Sequence, residues 1–161
     1  MTILFIIAAA VILLFGFVVF FGAPYLPTMK RQTETALDML DLKPGQILLE
    51  LGCGDGRVLR AAAERGLNVV GYELNPILAL FAWIYTLKYR KQVKVIWGNY
   101  WLMRWPVASG IFVFLLDNYM EKLDKKIVQE YGGNVKLVSY AFQIPDKKPL
   151  KEKDGLYLYK Y

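Results

Sequence analysis

Between Ile3 and Phe21 the chain runs almost unbroken through Ile, Leu, Val, Phe and Ala, and no side chain from Met1 to Met29 carries a charge. At about 1.5 Å per residue such a run reaches roughly 28 Å, close to the ~30 Å hydrocarbon core of a bilayer. A cleaved signal peptide calls for a basic leading region and a small-residue cleavage site, and neither is present. The expectation is a retained transmembrane anchor over residues 1–23, with residues 3–22 in the bilayer. Lys30 and Arg31 follow at once, so the positive-inside bias places everything after Met29 in the cytoplasm: a single pass, N-out. Residues 24–45 then read as a linker and a helix, and residues 46–161 as one domain. All 20 Lys and Arg and all 14 Asp and Glu lie beyond Met29, for a formal charge of +6. Such a surface attracts anionic lipid as readily as nucleic acid; beside an anchor, lipid is expected. The Pro24 and Pro27 link extends at most ~3.5 Å per residue, which keeps the domain against the membrane.

The chain has no histidine and one cysteine, Cys53. Imidazole bases, Cys/His zinc sites, intramolecular disulfides and Ser/His or Cys/His triads are thereby excluded, and no metal is expected.

Beyond the anchor, apolar periodicity predicts a helix from Thr28, as N-cap, with Thr33, Ala36, Leu37 and Leu40 on its inner face. Ile47 to Leu51 reads as a buried strand entering the bend Gly52-Cys53-Gly54-Asp55-Gly56, followed by a helix from Asp55 to Arg65 stopped by Gly66. A strand from Asn68 to Glu73, a helix capped by Asn75 with Pro76 in its first turn, and a strand from Val93 to Trp97 continue the alternation. Further strands are expected at Ile111–Leu116, Val135–Phe142 and Leu156–Tyr161, with a helix over Tyr119–Tyr131 between the first two. Only a shrunken helix is expected over Gly98–Ala108. The lysine-rich stretch from Pro145 to Gly155 reads as a surface loop before an antiparallel edge strand. Six strands alternating with helices imply a mostly parallel sheet covered on both faces. The apolar run Ile77–Leu87 is too short to cross a bilayer and is expected to be a buried helix; otherwise Trp83, Tyr85 and Tyr89 would rest at a lipid interface beside Lys88, Arg90 and Lys91.

A glycine bend between a strand and a helix N-terminus is a ligand site in open α/β sheets. Arg57 stands where a dinucleotide fingerprint needs glycine, Asp55 would face a pyrophosphate, and no Gly-Lys-Ser/Thr follows for a P-loop. Carboxylates here suit a ligand that is cationic at this point, and S-adenosylmethionine carries an ammonium and a sulfonium at its methionine end. Glu50 and Asp55 flank the bend, and Gly52 and Gly54 let the backbone approach the ligand. Glu73, about twenty residues on, can accept both ribose hydroxyls. Asn99, just past the third strand, is placed to meet the adenine edge.

Several segments resemble one family. They are Pro24-Tyr25-Leu26-Pro27-Thr28 after an apolar segment, Leu51-Gly52-Cys53-Gly54-Asp55-Gly56-Arg57, Gly71-Tyr72-Glu73-Leu74-Asn75-Pro76 and Phe142-Gln143-Ile144-Pro145. Together they resemble the membrane-anchored, seven-strand type protein-lysine methyltransferases that modify the ATP synthase c-subunit and the adenine nucleotide translocase, with their prokaryotic relatives. The resemblance implies a trimmed Rossmann-like class I methyltransferase fold, preceded by one transmembrane helix. It implies S-adenosylmethionine as cofactor, and adds Tyr25, Pro27 and Thr28 as a cover over it, with Cys53, Arg57, Leu74, Asn75 and Tyr100 in the same site. The family's usual Asp at the start of the glycine motif is Glu50 here, and the Asp often found against adenine is Asn99, whose amide oxygen still accepts.

Methyl transfer to an amine asks for alignment, exclusion of water and a deprotonated acceptor. Without histidine the orienting or deprotonating group is a carboxylate, a tyrosine or water. Asp117-Asn118-Tyr119, just past the fourth strand, lies where the methyl should emerge, so Asp117 and Tyr119 are the catalytic candidates; helix capping is their bland alternative. The segment lacks both prolines of the Asp-Pro-Pro-Tyr motif of nucleic-acid amine methyltransferases, and no nucleic-acid partner is expected. Tyr100, Trp101, Met103 and Trp105 read either as a membrane- or substrate-facing lip or as core. The expected activity is methylation of a lysine on a membrane or membrane-proximal protein. A small-molecule or lipid-headgroup methyltransferase and a non-catalytic S-adenosylmethionine-binding membrane protein are the alternatives.

Overall fold

The computed structural model describes residues 26–161 together with residues 2–6, 8, 9, 12 and 16. The expected anchor over residues 1–23 lies for the greater part outside the described residues, as does Tyr25. Among the described residues no helix is long and apolar enough to cross a membrane.

Seven strands form one sheet: β1 (Ile47–Leu51), β2 (Asn68–Glu73), β3 (Val93–Trp97), β4 (Gly110–Val113), β5 (Lys136–Tyr140), β6 (Lys151–Lys153) and β7 (Leu156–Lys160). Their spatial order is 3-2-1-4-5-7-6. β1 pairs in parallel with β2 and β4, β2 with β3, and β4 with β5, while β7 runs antiparallel to both β5 and β6. Over residues 26–161 four α-helices accompany them: α1 (Lys30–Leu40), α2 (Arg57–Glu64), α3 (Pro76–Tyr85) and α4 (Met120–Tyr131). Because successive strand residues face opposite sides, β1 sends Leu48 into one core and Leu49 and Leu51 into the other. The first core is closed by α1 through Ala36, Leu37 and Leu40, by α2 through Val58, Leu59 and Ala62, and by Ala82 of α3. The second is closed by Leu123 and Ile127 of α4.

The first three strands fall on the expected residues. Four expectations are corrected. The stretch read as a loop contains β6, so the sheet has seven strands, and β7 is not an edge but lies between β5 and β6. Asp154 and Gly155 both have positive φ (54° and 75°), which closes the tight β6–β7 hairpin. The N-cap of α1 is Met29 and makes no side-chain cap; Thr28 sits one residue earlier, buried, with a different task.

Residues 98–108 form no helix. Aromatic side chains pin this connection instead: the Tyr72 hydroxyl donates to the Arg104 carbonyl (3.1 Å), the Trp105 indole to that of Tyr100 (2.9 Å) and the Tyr131 hydroxyl to that of Pro106 (2.8 Å). Trp105 is buried and belongs to the second core, whereas Tyr100, Trp101 and Met103 are half-buried against its edge. The fourth correction concerns α3, where Ala79 and Ala82 are buried but Leu80, Phe81, Trp83, Ile84 and Tyr85 are exposed.

Candidate active site

Parallel β1 and β2 end side by side, with Glu50 in register with Gly71 and Leu51 with Tyr72. Gly52 and Cys53 both donate their N–H to the Tyr72 carbonyl (2.9 Å each), which turns the chain away from the sheet at the end of β1. The turn continues through left-handed backbone: Gly52 has φ +83° and Gly56 φ +84°. Nothing lies within 4 Å of where a β-carbon at Gly52 would stand, so the bend keeps an open cradle there. At Gly56 the same atom would lie 3.0 Å from Cα and Cβ of Ala82, so here glycine lets α3 approach.

Two buried carboxylates flank the cradle. Glu73 accepts the Gly54 N–H at 2.8 Å through one oxygen and the Asn75 N–H at 2.9 Å through the other. Burial raises its pKa and the backbone donors offset part of that. Asn75 in turn caps α3, its side-chain oxygen accepting the N–H groups of Ile77 (2.9 Å) and Leu78 (3.3 Å), as expected from Asn-Pro at a helix start. Glu50 is buried, and its Oε2 has no hydrogen-bond partner among the described residues. Burial first, then the charges of Glu73 and Asp55, hold its carboxyl well above the usual range. An unmatched buried carboxylate is costly on its own and is suited to a cationic donor brought by a ligand. Cys53 is buried beside this pair, and burial pushes its thiol up.

Asp55 is engaged by Arg57: Nη2 lies 2.7 Å from Oδ2, Nε 3.0 Å from Oδ1, and the Arg57 N–H donates to Oδ1 at 3.2 Å. Arg57 Nη1 also donates to the Thr28 carbonyl at 3.2 Å. The segment before α1 is thus fastened to the glycine bend, with Thr28 buried and Pro27 exposed beside it. That link crosses 29 residues of sequence, and no local pattern announces it. A groove lined by Lys30, Thr33, Glu34 and Arg60 shares Asp55 and Arg57 with this constellation but neither Glu50 nor Glu73.

After β3, Asn99 accepts the Trp101 N–H at 3.0 Å through its side-chain oxygen, leaving that oxygen one further lone pair. Leu74 accepts the indole N–H of Trp97 at 3.1 Å, which joins the ends of β2 and β3. Tyr100 is half-buried. Burial pushes its phenol up, and the charges of Tyr119 and Glu73 add to the effect. After β4, Asp117 to Tyr119 form a single 3-10 turn, with Asp117 exposed and Tyr119 half-buried. The Tyr119 ring lies 6.1 Å from that of Trp101, which is 4.8 Å from Tyr100. Lys122 places its ammonium 4.4 Å from the Trp101 ring, a cation–π contact within the chain. The sequence expectation named Tyr100, Trp101 and Tyr119 separately; what it did not show is that their rings stand side by side as an aromatic wall.

A sheet of order 3-2-1-4-5-7-6, whose first strand ends in a glycine bend between two buried carboxylates, defines a class I methyltransferase fold. The family model described as the ANTKMT methyltransferase domain matches residues 50–151, and the chain belongs to that family. It is 31% identical over 149 residues to a protein-lysine N-methyltransferase of Saccharolobus islandicus (strain REY15A), covering 84% of this chain and 92% of the relative. It is 29% identical over 133 residues to the lysine N-methyltransferase of the ATP synthase c-subunit from Homo sapiens, covering 78% of this chain. The match spans 54% of that human relative, about half its length. Among solved structures, an RNA methyltransferase from Salinibacter ruber in complex with S-adenosyl-L-homocysteine superposes with a TM-score of 0.77 at 25% identity, covering 84% of this chain and 92% of that one.

Proposed function

We propose that this chain is an S-adenosylmethionine-dependent methyltransferase acting on the side-chain amine of a lysine in a membrane or membrane-proximal protein. One observation carries the cofactor: Glu50, buried and unmatched, and Glu73, buried and bonded to Gly54, flank the open cradle at Gly52. S-adenosylmethionine supplies, when bound, an electrophilic methyl group on a sulfonium. The Glu50 carboxylate offers its free oxygen to the ammonium. Glu73 spends one lone pair of each oxygen on the backbone and keeps the others for ribose hydroxyls. Leu74 and Asn99 border the adenine edge, Cys53 and Gly54 line the bend, and Tyr100 closes the wall. Arg57 holds Thr28 and Pro27 over the bend, where Tyr25 precedes them in sequence. Asp117 and Tyr119 receive the acceptor amine: a lysine must lose its proton before transfer, and these groups orient it and take or relay that proton.

The names of the Saccharolobus and human relatives support a protein lysine as acceptor. The uncharged run from Ile3 to Phe21 and the basic pair Lys30-Arg31 support a single-pass, N-out anchor with the domain in the cytoplasm.

The test is incubation of native membranes and soluble fractions with the full chain and methyl-labelled cofactor, followed by separation of protein, lipid and RNA. Label in an integral membrane protein, located on lysine by mass spectrometry, is the expected result. Label confined to lipid, RNA or small molecules overturns the lysine reading; cofactor binding without any transfer makes the chain a binding protein.

A further inference from the structure

Helix α3 is built inside out. Its small residues, Ala79 and Ala82, face the core, and the close approach of Ala82 to Gly56 leaves no room for anything larger. Its large apolar residues face outward: Leu80, Phe81, Trp83 and Ile84 are 50–57% exposed, and Trp97, at the end of neighbouring β3, is 68% exposed. An amphipathic helix serving only the core would be arranged the other way. A contiguous apolar face of this kind marks a contact with something outside the fold.

The charges around it choose the contact. Lys88, Arg90 and Lys91 follow α3 directly and Lys94 lies on the adjacent edge strand; all four are exposed. No Asp or Glu occurs between Glu73 and Asp117. Glu64 on α2 comes near, accepting from the Tyr89 hydroxyl at 3.2 Å, but it is engaged by Arg60 at 2.9 Å, and Arg60 lies over the Tyr85 ring. A second copy docked here about a two-fold axis would set these cations against themselves. A surface of phosphate headgroups over acyl chains answers both the charge and the apolar face, and Trp and Tyr are the residues that favour that boundary.

We propose that the outer face of α3 is a lipid-docking surface. Leu80, Phe81, Trp83 and Ile84 enter the boundary between headgroups and acyl chains of an anionic bilayer, while Lys88, Arg90, Lys91 and Lys94 meet its phosphates. At ten residues α3 is about 15 Å long, too short to span a bilayer but long enough to lie in its plane. Asn75 begins α3 and bonds to Glu73, and Trp97 bonds to Leu74, so docking this face fixes how the cofactor end of the sheet sits relative to the membrane. The proposal depends neither on the lysine reading nor on the N-terminal anchor.

The full chain is made with Leu80→Cys, Ile84→Cys or, as an exposed control on α4, Val128→Cys. Each is labelled with an environment-sensitive fluorophore and reconstituted into phosphatidylcholine vesicles with or without phosphatidylglycerol. Cys53 is buried, and the unsubstituted chain measures any labelling there. In anionic vesicles the labels at 80 and 84 should be quenched several-fold more by nitroxide lipid than by aqueous iodide, and the label at 128 the reverse. Lys88→Glu with Lys91→Glu should abolish most of the lipid quenching at 80 and 84. Labels at 80 and 84 that stay wet on a chain still floating with the vesicles overturn the docking face and leave the anchor standing. Labels shielded from iodide but untouched by nitroxide lipid mean that protein covers the face, a second copy or the chain's own residues 3–21, and also overturn it. Loss of the chain from neutral vesicles with retention on anionic ones supports the face and removes the anchor.

Discussion

Glu73 accepts the backbone N–H of Gly54 at 2.8 Å, so the carboxylate expected to face a ribose also holds the glycine bend in shape. The two tasks share one side chain because β1 and β2 are parallel neighbours that end together. Glu73→Ala should therefore do two things. It leaves the buried N–H groups of Gly54 and Asn75 without acceptors, at about 1–3 kcal/mol each, which chemical denaturation reads as lost stability. It also removes the ribose acceptor, so calorimetry on the folded fraction should show at least a tenfold weaker cofactor affinity. Equal affinity in the folded mutant and the unsubstituted chain would assign Glu73 to the bend alone.

Glu50 makes the ligand-free domain sensitive to pH. Its carboxyl is held well above the ordinary range, mainly by burial and then by Glu73 and Asp55. A carboxyl that binds its proton more tightly in the folded chain contributes stability that is fully present below its unfolded pKa and is lost as pH rises through the folded one. Stability without ligand should fall over that window, and Glu50→Gln should flatten the fall. Binding a cation beside Glu50 favours the ionised form, so cofactor binding should release protons, seen as a dependence of calorimetric enthalpy on the buffer. Glu50→Gln should weaken binding by about 1.5–3 kcal/mol, the worth of a hydrogen bond to a charged group. Affinity unchanged by this substitution would remove Glu50 from the site.

Gly52 and Gly56 have the same backbone conformation and different surroundings, which separates binding from folding. Both substitutions by alanine carry the left-handed penalty, about 1–2 kcal/mol. At Gly56 the new carbon also meets Ala82 at 3.0 Å, adding an overpacking cost of about 1–3 kcal/mol. At Gly52 the carbon enters open space. Gly56→Ala should show the larger drop in Tm and Gly52→Ala the larger loss of cofactor affinity. The reverse ranking would mean that the cradle is not where the cofactor lies.

How far the chain could be read before folding is seen in these residues. The first three strands and the Asn75 cap rest on local chemistry, apolar runs and an Asn-Pro pair, and local chemistry is legible in sequence. β6 was missed because Lys-Glu-Lys has no apolar alternation, although the Asp154-Gly155 pair carried the hairpin signal. The orientation of α3 was illegible for another reason: a run apolar on every side has no period to say which face is buried, and the choice was made by Gly56, far away in sequence. Asn99 was placed correctly after β3, but its bond to the Trp101 N–H depends on a turn that replaced an expected helix.

Arg57 links the bend to the segment before α1 through the Thr28 carbonyl. If that segment covers the cofactor, deletion through residue 22 should leave affinity intact, deletion through residue 29 should weaken it several-fold, and Arg57→Ala should weaken it in the intact chain. Because the last two changes act on the same contact, combining them should cost little more than the larger alone. Additive losses would show that Arg57 acts on the bend independently of the cover, and indistinguishable affinities for the two deletions would reduce the segment to a tether.

Tyr119 and Asp117 share one turn after β4 but differ in setting, and that difference predicts different kinetics. Tyr119 is half-buried, with its ring 6.1 Å from that of Trp101. Asp117 is exposed, so that a cationic lysine side chain can reach it from solvent. Tyr119→Phe should lower kcat, with KM for a peptide substrate and cofactor affinity nearly unchanged, by up to the roughly hundredfold at the lower end of general acid–base contributions. Asp117→Asn should raise KM for the lysine peptide more than it lowers kcat, and the effect should shrink at high salt because the attraction is between exposed charges. A salt-independent fall in kcat for Asp117→Asn would instead make Asp117 the group that takes the proton, with Tyr119 as its orienting neighbour. The turn makes no side-chain cap to α4, so wild-type rates in both variants would leave it a plain connection and move the search for the acceptor site to the Phe142-Gln143-Ile144-Pro145 segment, whose Ile144 N–H is held by the Tyr159 hydroxyl at 3.0 Å.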